Sequence, residues 1–506
     1  MAKMTLKIDP EKLHASVQRE RAAEPCAIVI FGGSGDLAKR KLLPALYNLE
    51  REKQLPEGTA IIGVGLDAWT DEQFRQVHRE ATGKFSRSKP IDENVWNSFA
   101  KKLHYTYGDL SKAATFQMLR QKLGEVDRSF GTRGNRLFYC SVPASVFPLI
   151  LTGLNEAGLI SKVEDDEARP FSRVIIEKPF GRDLKTSREL NNLAAKELDE
   201  TQLYRIDHYL GKETVQNMLV FRFGNAIFEP LWNRKYIDHV QVTAAEQINI
   251  EGRGKFYDET GVIRDIVQNH LLQVLALMAM EPPVSFHADE IRDEKAQVFR
   301  SLKKLTHAEV SKNVILGQYR GYRQEHSVAP DSNTPTYAAL KVEIDNWRWQ
   351  GVPFYLRAGK KLAKRVTEVA IYFQSIPLLL FAARGGTPIE PNVLVLRIQP
   401  DEGITLKFMC KVPGDGLQVS SVAMDFNYAE GFNKPVSEAY EHLLLDGLRG
   451  DQTLFWRRDE VSRAWEWVGP ILDANQKPCV YEPGSAGPKE ADELIARDGK
   501  KWRALQ

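Results

Sequence analysis

Cysteine is scarce in this chain. The four present, Cys26, Cys140, Cys410 and Cys479, lie far apart among 506 residues with no CxxC pair, which excludes a disulfide framework and cysteine-rich zinc sites and suits a reducing compartment. Long apolar runs are also missing: no stretch reaches the roughly 18 apolar residues of a bilayer-spanning helix. The first 25 residues are polar and lack the apolar core of a signal peptide, so a cytoplasmic protein with no membrane partner is expected. Charge of one sign is absent too. Lys plus Arg number 69 against 67 Asp plus Glu, a net charge of +2, and no basic stripe of the kind that nucleic-acid binders carry is found. With no internal repeat or low-complexity tract, the expected partners are small molecules and copies of the chain itself.

What is present is ordinary globular material, 43% apolar and 27% charged, enough for two domains. After a polar N-terminal extension over 1–25, the run CAIVIF reads as a buried strand, GGSGDLA as a turn and KRKLLPALYNLERE as a helix. GTAIIGVGL, HYTYGDL, NRLFYCSVP and SRVIIEKPFG read as further strands alternating with helical stretches. That alternation predicts an α/β, Rossmann-like domain with a doubly wound parallel sheet over 26–206. Beyond it HVQVTAAEQINI, TYAALKVEIDNW, VPFYLRAGK, EVAIYFQS, NVLVLRIQP, GITLKFMCKV and QVSSVAMDF follow one another as strands on short links. They predict an α+β domain over 207–506 with a large, mostly antiparallel sheet.

Two stretches carry chemistry. Gly32, Gly35 and Ala38 form G-x-x-G-x-x-A between the first strand and its helix, where glycine lets backbone approach a pyrophosphate and the helix offers unpaired N–H groups. The second strand ends at Leu66 and Asp67; an acid there either accepts from the ribose 2′-OH of NAD or merely caps the turn. The second stretch, RIDHYLGKE, concentrates Arg205, Asp207, His208, Tyr209, Lys212 and Glu213. It reads as a solvated loop or as an anion pocket that moves a proton. A metal is set aside, because Asp207 and His208 are adjacent and no HxxxH or HxH spacing supports them. In IRDIVQNHLLQVLALMAM, His270 shares a helical face with Ile266, Val267 and Val274, so its side chain points inward. A buried imidazole needs a carboxylate to fix its tautomer, and Asp207 and Asp265 are both candidates.

These residues resemble the glucose-6-phosphate dehydrogenase family through GGSGDLAKRKLLPALY, EKPFG, RIDHYLGKE, EGRGKFYDETGVIRDIVQNHLLQ, IRDEK, WRWQGVPFYLRAGK and AYEHLLLDGLRGDQTLFWRRDE. The resemblance implies oxidation of C1 of D-glucose 6-phosphate to 6-phosphoglucono-δ-lactone, with hydride passed to NADP or NAD. It makes His270 the general base and Asp207 its orienting acid. His208, Tyr209 and Lys212 would hold the 6-phosphate, Glu246, Asp265 and Lys360 the sugar, and Lys41 and Lys178 the junction of sugar and cofactor. Gly32, Gly33, Ser34, Gly35, Asp36, Leu37, Ala38, Lys39, Leu66, Asp67, Asp109, Leu110 and Lys178 fall on the family's cofactor contacts. One departure matters: Leu66, followed by Asp67, stands where many members carry the arginine that grips a 2′-phosphate. Dual use or an NAD preference is therefore expected, with Arg40 or Arg75 as candidate replacements. The family assembles as dimers or tetramers through its large sheet, and Arg365 with its basic neighbours is left either to a second nucleotide site or to solvent. Two other readings stand beside this one: a Rossmann-type dehydrogenase of unphosphorylated sugars, and a catalytically silent phosphosugar sensor.

Overall fold

The computed structural model describes residues 22–160, 170–376, 389–415, 418–432 and 437–505. Of the expected N-terminal extension, residues 1–21 lie outside the described residues. Six strands run parallel: β1 (Ala27–Phe31), β2 (Ala60–Gly65), β3 (Leu103–Tyr107), β4 (Arg136–Cys140), β5 (Ser172–Ile176) and β6 (Leu203–Ile206), in the order β6-β5-β4-β1-β2-β3. Every residue of β1, β2 and β4 is buried, as a sheet covered on both faces requires, which is why these segments read as continuous apolar runs. β6 carries Tyr204 and Arg205 in four residues. That composition hides it from sequence patterning, which predicts no strand there.

The second sheet holds β7 (Ile237–Ala245), β8 (Val314–Tyr319), β9 (Tyr337–Val342), β10 (Phe354–Gly359), β11 (Val366–Phe373), β12 (Val393–Gln399), β13 (Gly403–Lys411) and β14 (Val419–Asn427). Its order is β14-β13-β12-β11-β7-β10-β9-β8, closed by a short last strand at Cys479–Tyr481. Most pairs are antiparallel, as expected, but the central pair β7–β10 is parallel, with Ala245 opposite Gly359. The residues that follow these two strands, Glu246 and Lys360, therefore leave the sheet side by side.

The chain then returns to the first sheet. The helix Ala439–Arg449 packs on it, with Arg173 donating to the carbonyls of Gly447 at 3.0 Å and Leu448 at 2.7 Å. The two-residue strand β15 (Phe455–Trp456) pairs antiparallel with β6 and covers its edge. One contiguous apolar cluster includes residues of both sheets and of this returning segment.

Two helical segments near the site are wound as π-helix, Ala38–Leu42 and Ile263–Leu271. Sequence patterning predicts α-helix for both. Apolar spacing at three and four residues cannot separate the two windings, and π turns concentrate at functional sites.

Candidate active site

The residues singled out by sequence collect at the carboxyl ends of parallel strands, where α/β sheets bind ligands. The Gly32 turn follows β1, Leu66–Asp67 β2, Asp109–Leu110 β3, Glu177–Lys178 β5 and Asp207 β6. At the turn, Gly32 has φ +81° and a Cβ there would collide with the Ser141 carbonyl, while a Cβ on Gly33 would stand 2.6 Å from Gly63 Cα. The N–H groups of Gly32 and Gly33 both donate to Val64 O, at 2.8 and 3.0 Å. From below, His78 Nε2 donates to Gly33 O at 3.0 Å; its burial lowers the ring to about 4, so it stays neutral. Ser34 bonds the Tyr105 hydroxyl. The turn is thus a tight cradle without side chains at Gly32 and Gly33, a form that lets a pyrophosphate come close to the backbone.

At the ribose end, Leu66 is 71% exposed and Asp67 is exposed, its carbonyl accepting from Tyr105 OH at 2.9 Å. Lys39 Nζ stands 5.3 Å from the centre of the Trp69 ring, two residues further on. Arg40 is exposed, 3.6 Å from Asp36. Arg75 is placed elsewhere: its Nε donates to Leu103 O at 3.1 Å, at the amino end of β3. The expectation that Arg75 could replace an arginine at Leu66 is corrected on that ground.

His270 and Asp207 come together although 63 residues apart. His270 Nδ1 donates to Asp207 Oδ1 at 2.5 Å, and both side chains are 1% exposed. Asp207, not Asp265, is the partner. The Tyr209 N–H adds a second bond to Oδ1 at 2.9 Å. Burial holds the His270 ring below the ordinary histidine range, with the Lys178 ammonium acting the same way against Asp207. Burial pushes Asp207 up, but the neighbouring imidazole and its hydrogen bond override this and hold the carboxyl well below its usual range. The pair therefore rests as neutral imidazole and carboxylate, with the proton on Nδ1 and the lone pair on Nε2.

That lone pair faces Lys178, whose Nζ lies 2.9 Å from Nε2 and also donates to Asp265 O at 2.8 Å and Oδ1 at 3.2 Å. On an α-helix, residues five apart such as Asp265 and His270 would be splayed by about 140°. The π-winding, bonded from i to i+5, lets one lysine meet both. The segment enters through Gly261 at φ +61°, a conformation that glycine adopts without strain.

Around this pair, the Tyr209 ring stacks on His270 at 4.1 Å and 16°, and the His208 ring stands edge-on at 4.6 Å. Burial, reinforced by the Lys178 ammonium, holds His208 well below the usual range. The acceptor atoms of Asp207, His208 and His270 lie within 4.8 Å of one another, a cluster that local spacing could not reveal. On His270, however, Nδ1 carries the proton bonded to Oδ1, and Nε2 faces an ammonium that would repel a metal.

A cationic pocket adjoins. Lys212 caps the helix Glu213–Phe223 and lies 5.7 Å from the centre of the Tyr209 ring. Burial lowers its ammonium, opposed by Glu402 and reinforced by Arg365 and Lys41, so these cations share one locality. Lys41 bonds Glu438 at 2.8 Å, and Glu402 accepts from the Thr214 N–H and hydroxyl, both at 2.9 Å. Lys360, part of a basic run in sequence, is 3% exposed and paired with Glu246. Several of these partners are not legible in the sequence: Glu402, Glu438, and the Glu177 carboxylate held by Tyr139 OH at 2.6 Å and Tyr440 OH at 3.2 Å. They carry no local signal, because their partners are up to 397 residues away.

A dinucleotide-type cradle beside a neutral imidazole–carboxylate pair and a cationic pocket defines the class: a Rossmann-type oxidoreductase with a second, substrate-side sheet. Similarity to known proteins narrows the class to a family. Residues 29–217 match the glucose-6-phosphate dehydrogenase NAD-binding domain and residues 219–503 its C-terminal domain. The chain is 47% identical over 502 residues to glucose-6-phosphate 1-dehydrogenase of Chlamydia pneumoniae, covering 96% of this chain and 97% of that protein. It is 42% identical over 492 residues to that of Mycolicibacterium smegmatis, with 95% and 97% covered. The crystal structure of the Mycobacterium avium enzyme superposes with a TM-score of 0.83 at 40% identity, over 96% of this chain and 99% of that one. A glucose-6-phosphate dehydrogenase solved in complex with its substrate gives 0.86 at 35%, over 96% and 100%. The chain belongs to the glucose-6-phosphate dehydrogenase family. Among the described residues no helix is long and apolar enough to cross a membrane.

Proposed function

We propose that this protein oxidises C1 of D-glucose 6-phosphate to 6-phosphoglucono-δ-lactone, with His270 as the base. The observation that carries the reading is the 2.5 Å contact of His270 Nδ1 with Asp207, which makes Nε2, faced by Lys178, the proton-accepting nitrogen of a ring held neutral. His270 Nε2 takes the proton of the C1 hydroxyl. The C1–H electron pair leaves as hydride and the C1–O bond becomes the lactone carbonyl. Asp207 keeps the ring in this tautomer and stabilises the imidazolium that forms. Lys178 occupies the place beside Nε2 that the hydroxyl would take, and so lies at the junction with the cofactor.

Lys212, His208 and Tyr209 are proposed to hold the 6-phosphate, with Lys41 beside Lys212 towards the cofactor and Arg365 at the rim. A phosphate dianion calls for several cationic donors in a cleft, and Glu246, Asp265 and Lys360 suit a polyol's hydroxyls. Unphosphorylated glucose would leave the cationic pocket unused, and a silent sensor would have no need of the imidazole–carboxylate pair, so both rival readings are disfavoured. The test is reduced-nicotinamide absorbance with glucose 6-phosphate. A general base contributes about 10²–10⁴-fold, so His270→Asn should lose at least about 100-fold in kcat with KM little changed. Equal activity on glucose would overturn the substrate assignment.

For the cofactor, the cradle at Gly32 and Gly33 fits a pyrophosphate, with Ser34 to Lys39, Asp109 and Leu110 around the dinucleotide. When bound, the nicotinamide accepts the C1 hydride. We propose dual use of NAD and NADP or a preference for NAD, because Leu66 offers no cation and Asp67 would repel a 2′-phosphate. The kcat/KM ratio for the two cofactors tests this. A hundredfold preference for NADP would mean that Lys39 or Arg40 grips the phosphate instead. We further propose a cytoplasmic enzyme, divided near residue 206 and associating as a dimer or tetramer through the outer end of its large sheet.

A further inference from the structure

We infer that Trp456 is a positioning residue for this reaction: its indole N–H fixes the Asp207 carboxylate from the side opposite His270 and thereby sets where the imidazole stands. The inference rests on the roles of His270 and Asp207 given above and deepens them.

The two oxygens of Asp207 are held differently. Oδ1 accepts from His270 Nδ1 at 2.5 Å and from Tyr209 N at 2.9 Å, whereas Oδ2 accepts from Trp456 Nε1 at 3.4 Å. A carboxylate bonded through one oxygen can turn about its Cβ–Cγ bond, and a donor on the other oxygen opposes that turn. Indole is suited to this role because it donates without accepting and does not titrate near neutrality, so it restrains the carboxylate without competing for the proton of His270. In return, a buried indole N–H needs an acceptor.

The fold places Trp456 for this. It pairs across from Arg205 in β15, two residues from Asp207, and is 1% exposed with its ring 5.5 Å from that of Phe299. Its backbone is secured on both sides, by Arg205 Nη1 donating to Trp456 O at 3.4 Å and by Arg457 paired with Asp293 at 2.6 Å. Behind lies a wholly buried ion pair, Lys295–Glu460 at 3.2 Å. Gln273, three residues past His270, donates to Glu460 at 2.8 Å and accepts from Lys295 at 3.2 Å. Lys295 is near enough for the charge of Asp207 to act on it. The imidazole that holds the Asp207 carboxyl low is still bonded to it when the indole donor is removed, so the loss falls on orientation rather than on charge.

The test compares full-length parent, Trp456→Phe, Asp207→Asn, their double variant, His270→Asn and Phe299→Leu by kinetics with glucose 6-phosphate across pH. Trp456→Phe should lower kcat about tenfold, short of the roughly 100-fold that a 1 Å misplacement costs, with KM for the sugar within about twofold. Its acid limb in kcat/KM should move to higher pH, since an unshared Oδ2 leaves Asp207 a stronger acceptor for the imidazolium. In the Asp207→Asn background it should cost nothing further. Phe299→Leu, which loosens the packing but keeps the donor, should lower Tm and leave the limb in place. Full kcat with an unmoved limb in Trp456→Phe, or a loss additive with Asp207→Asn, overturns the inference. Undiminished turnover of His270→Asn would instead bring down the base assignment beneath it. Should Trp456→Phe not fold, isotope-labelled tryptophan decides: the Trp456 indole resonance, assigned through Phe299→Leu, must shift on Asp207→Asn, and an unmoved signal overturns the proposal.

Discussion

Lys212 shows how a single residue's surroundings set its use. Its ammonium is lowered by burial while Arg365 and Lys41 crowd it and Glu402 and Glu438 offset them, so the pocket holds more cations than its own carboxylates comfortably neutralise at close range. A dianion entering such a place gains several charge-assisted bonds. Removing one buried donor of a charged pair costs about 2 kcal/mol or more, so Lys212→Ala should raise KM for glucose 6-phosphate about 30-fold or more, with kcat changed less. Steady-state kinetics check this, and an unchanged KM removes Lys212 from the site. At this scale the chain is partly legible. RIDHYLGKE announces a dense set of polar groups, and the spacing around His270 marks it as inward-facing and in need of a carboxylate. Which carboxylate serves it is not legible, because Asp207 and Asp265 are equally plausible by composition and only the approach of β6 to the π-helix separates them.

Among the elements, the helix Ala439–Arg449 joins the two halves. Glu438 at its cap bonds Lys41, Tyr440 bonds Glu177, Glu441 takes Asn48 at 2.7 Å and Arg87 at 2.8 Å, and His442 pairs with Glu213 at 2.8 Å. The π-helix Ala38–Leu42, the β5 end and the helix Glu213–Phe223 are thus all tied to one segment. Within it, burial and the nearby Asp451 push Asp446 up to about 7. A carboxyl raised in the folded state keeps its proton while the unfolded chain, near 3.9, has already lost its own. The native state then binds more protons, and its stability falls as pH rises from about 4 to about 7 before levelling. Asp446→Asn should therefore melt higher than the parent at pH 8 and match it near pH 4, as thermal denaturation across pH would measure. A Tm difference independent of pH would contradict the assignment. Sequence patterning foresees the helical segment that carries His270, but not the π-winding of Ile263–Leu271, because a five-residue offset between Asp265 and His270 has meaning only once Lys178 is found against both.

For the whole molecule, the two sheets share one core but differ at their edges. The first sheet is closed at one end by β15. The second ends at β14, which is largely exposed, with Met424 at 49% and Val422 at 37%. An open apolar edge of this length invites pairing with another chain. The proposed self-association should weaken when Val422 and Met424 are both changed to Asp, read as a smaller mass by light scattering; an unchanged mass would move the contact elsewhere. What the sequence alone determined is what repeats locally: the alternation of buried runs and amphipathic helices that makes a Rossmann-like domain, the successive strands of a large sheet, and the glycine turn, since each depends on neighbours a few residues away. Tertiary structure alone decided the pairing of distant groups. His270 with Asp207, Lys360 with Glu246 through the parallel β7–β10 pair, and Trp456 behind the carboxylate all depend on which strand ends meet, and that is set by packing across hundreds of residues rather than by any local pattern.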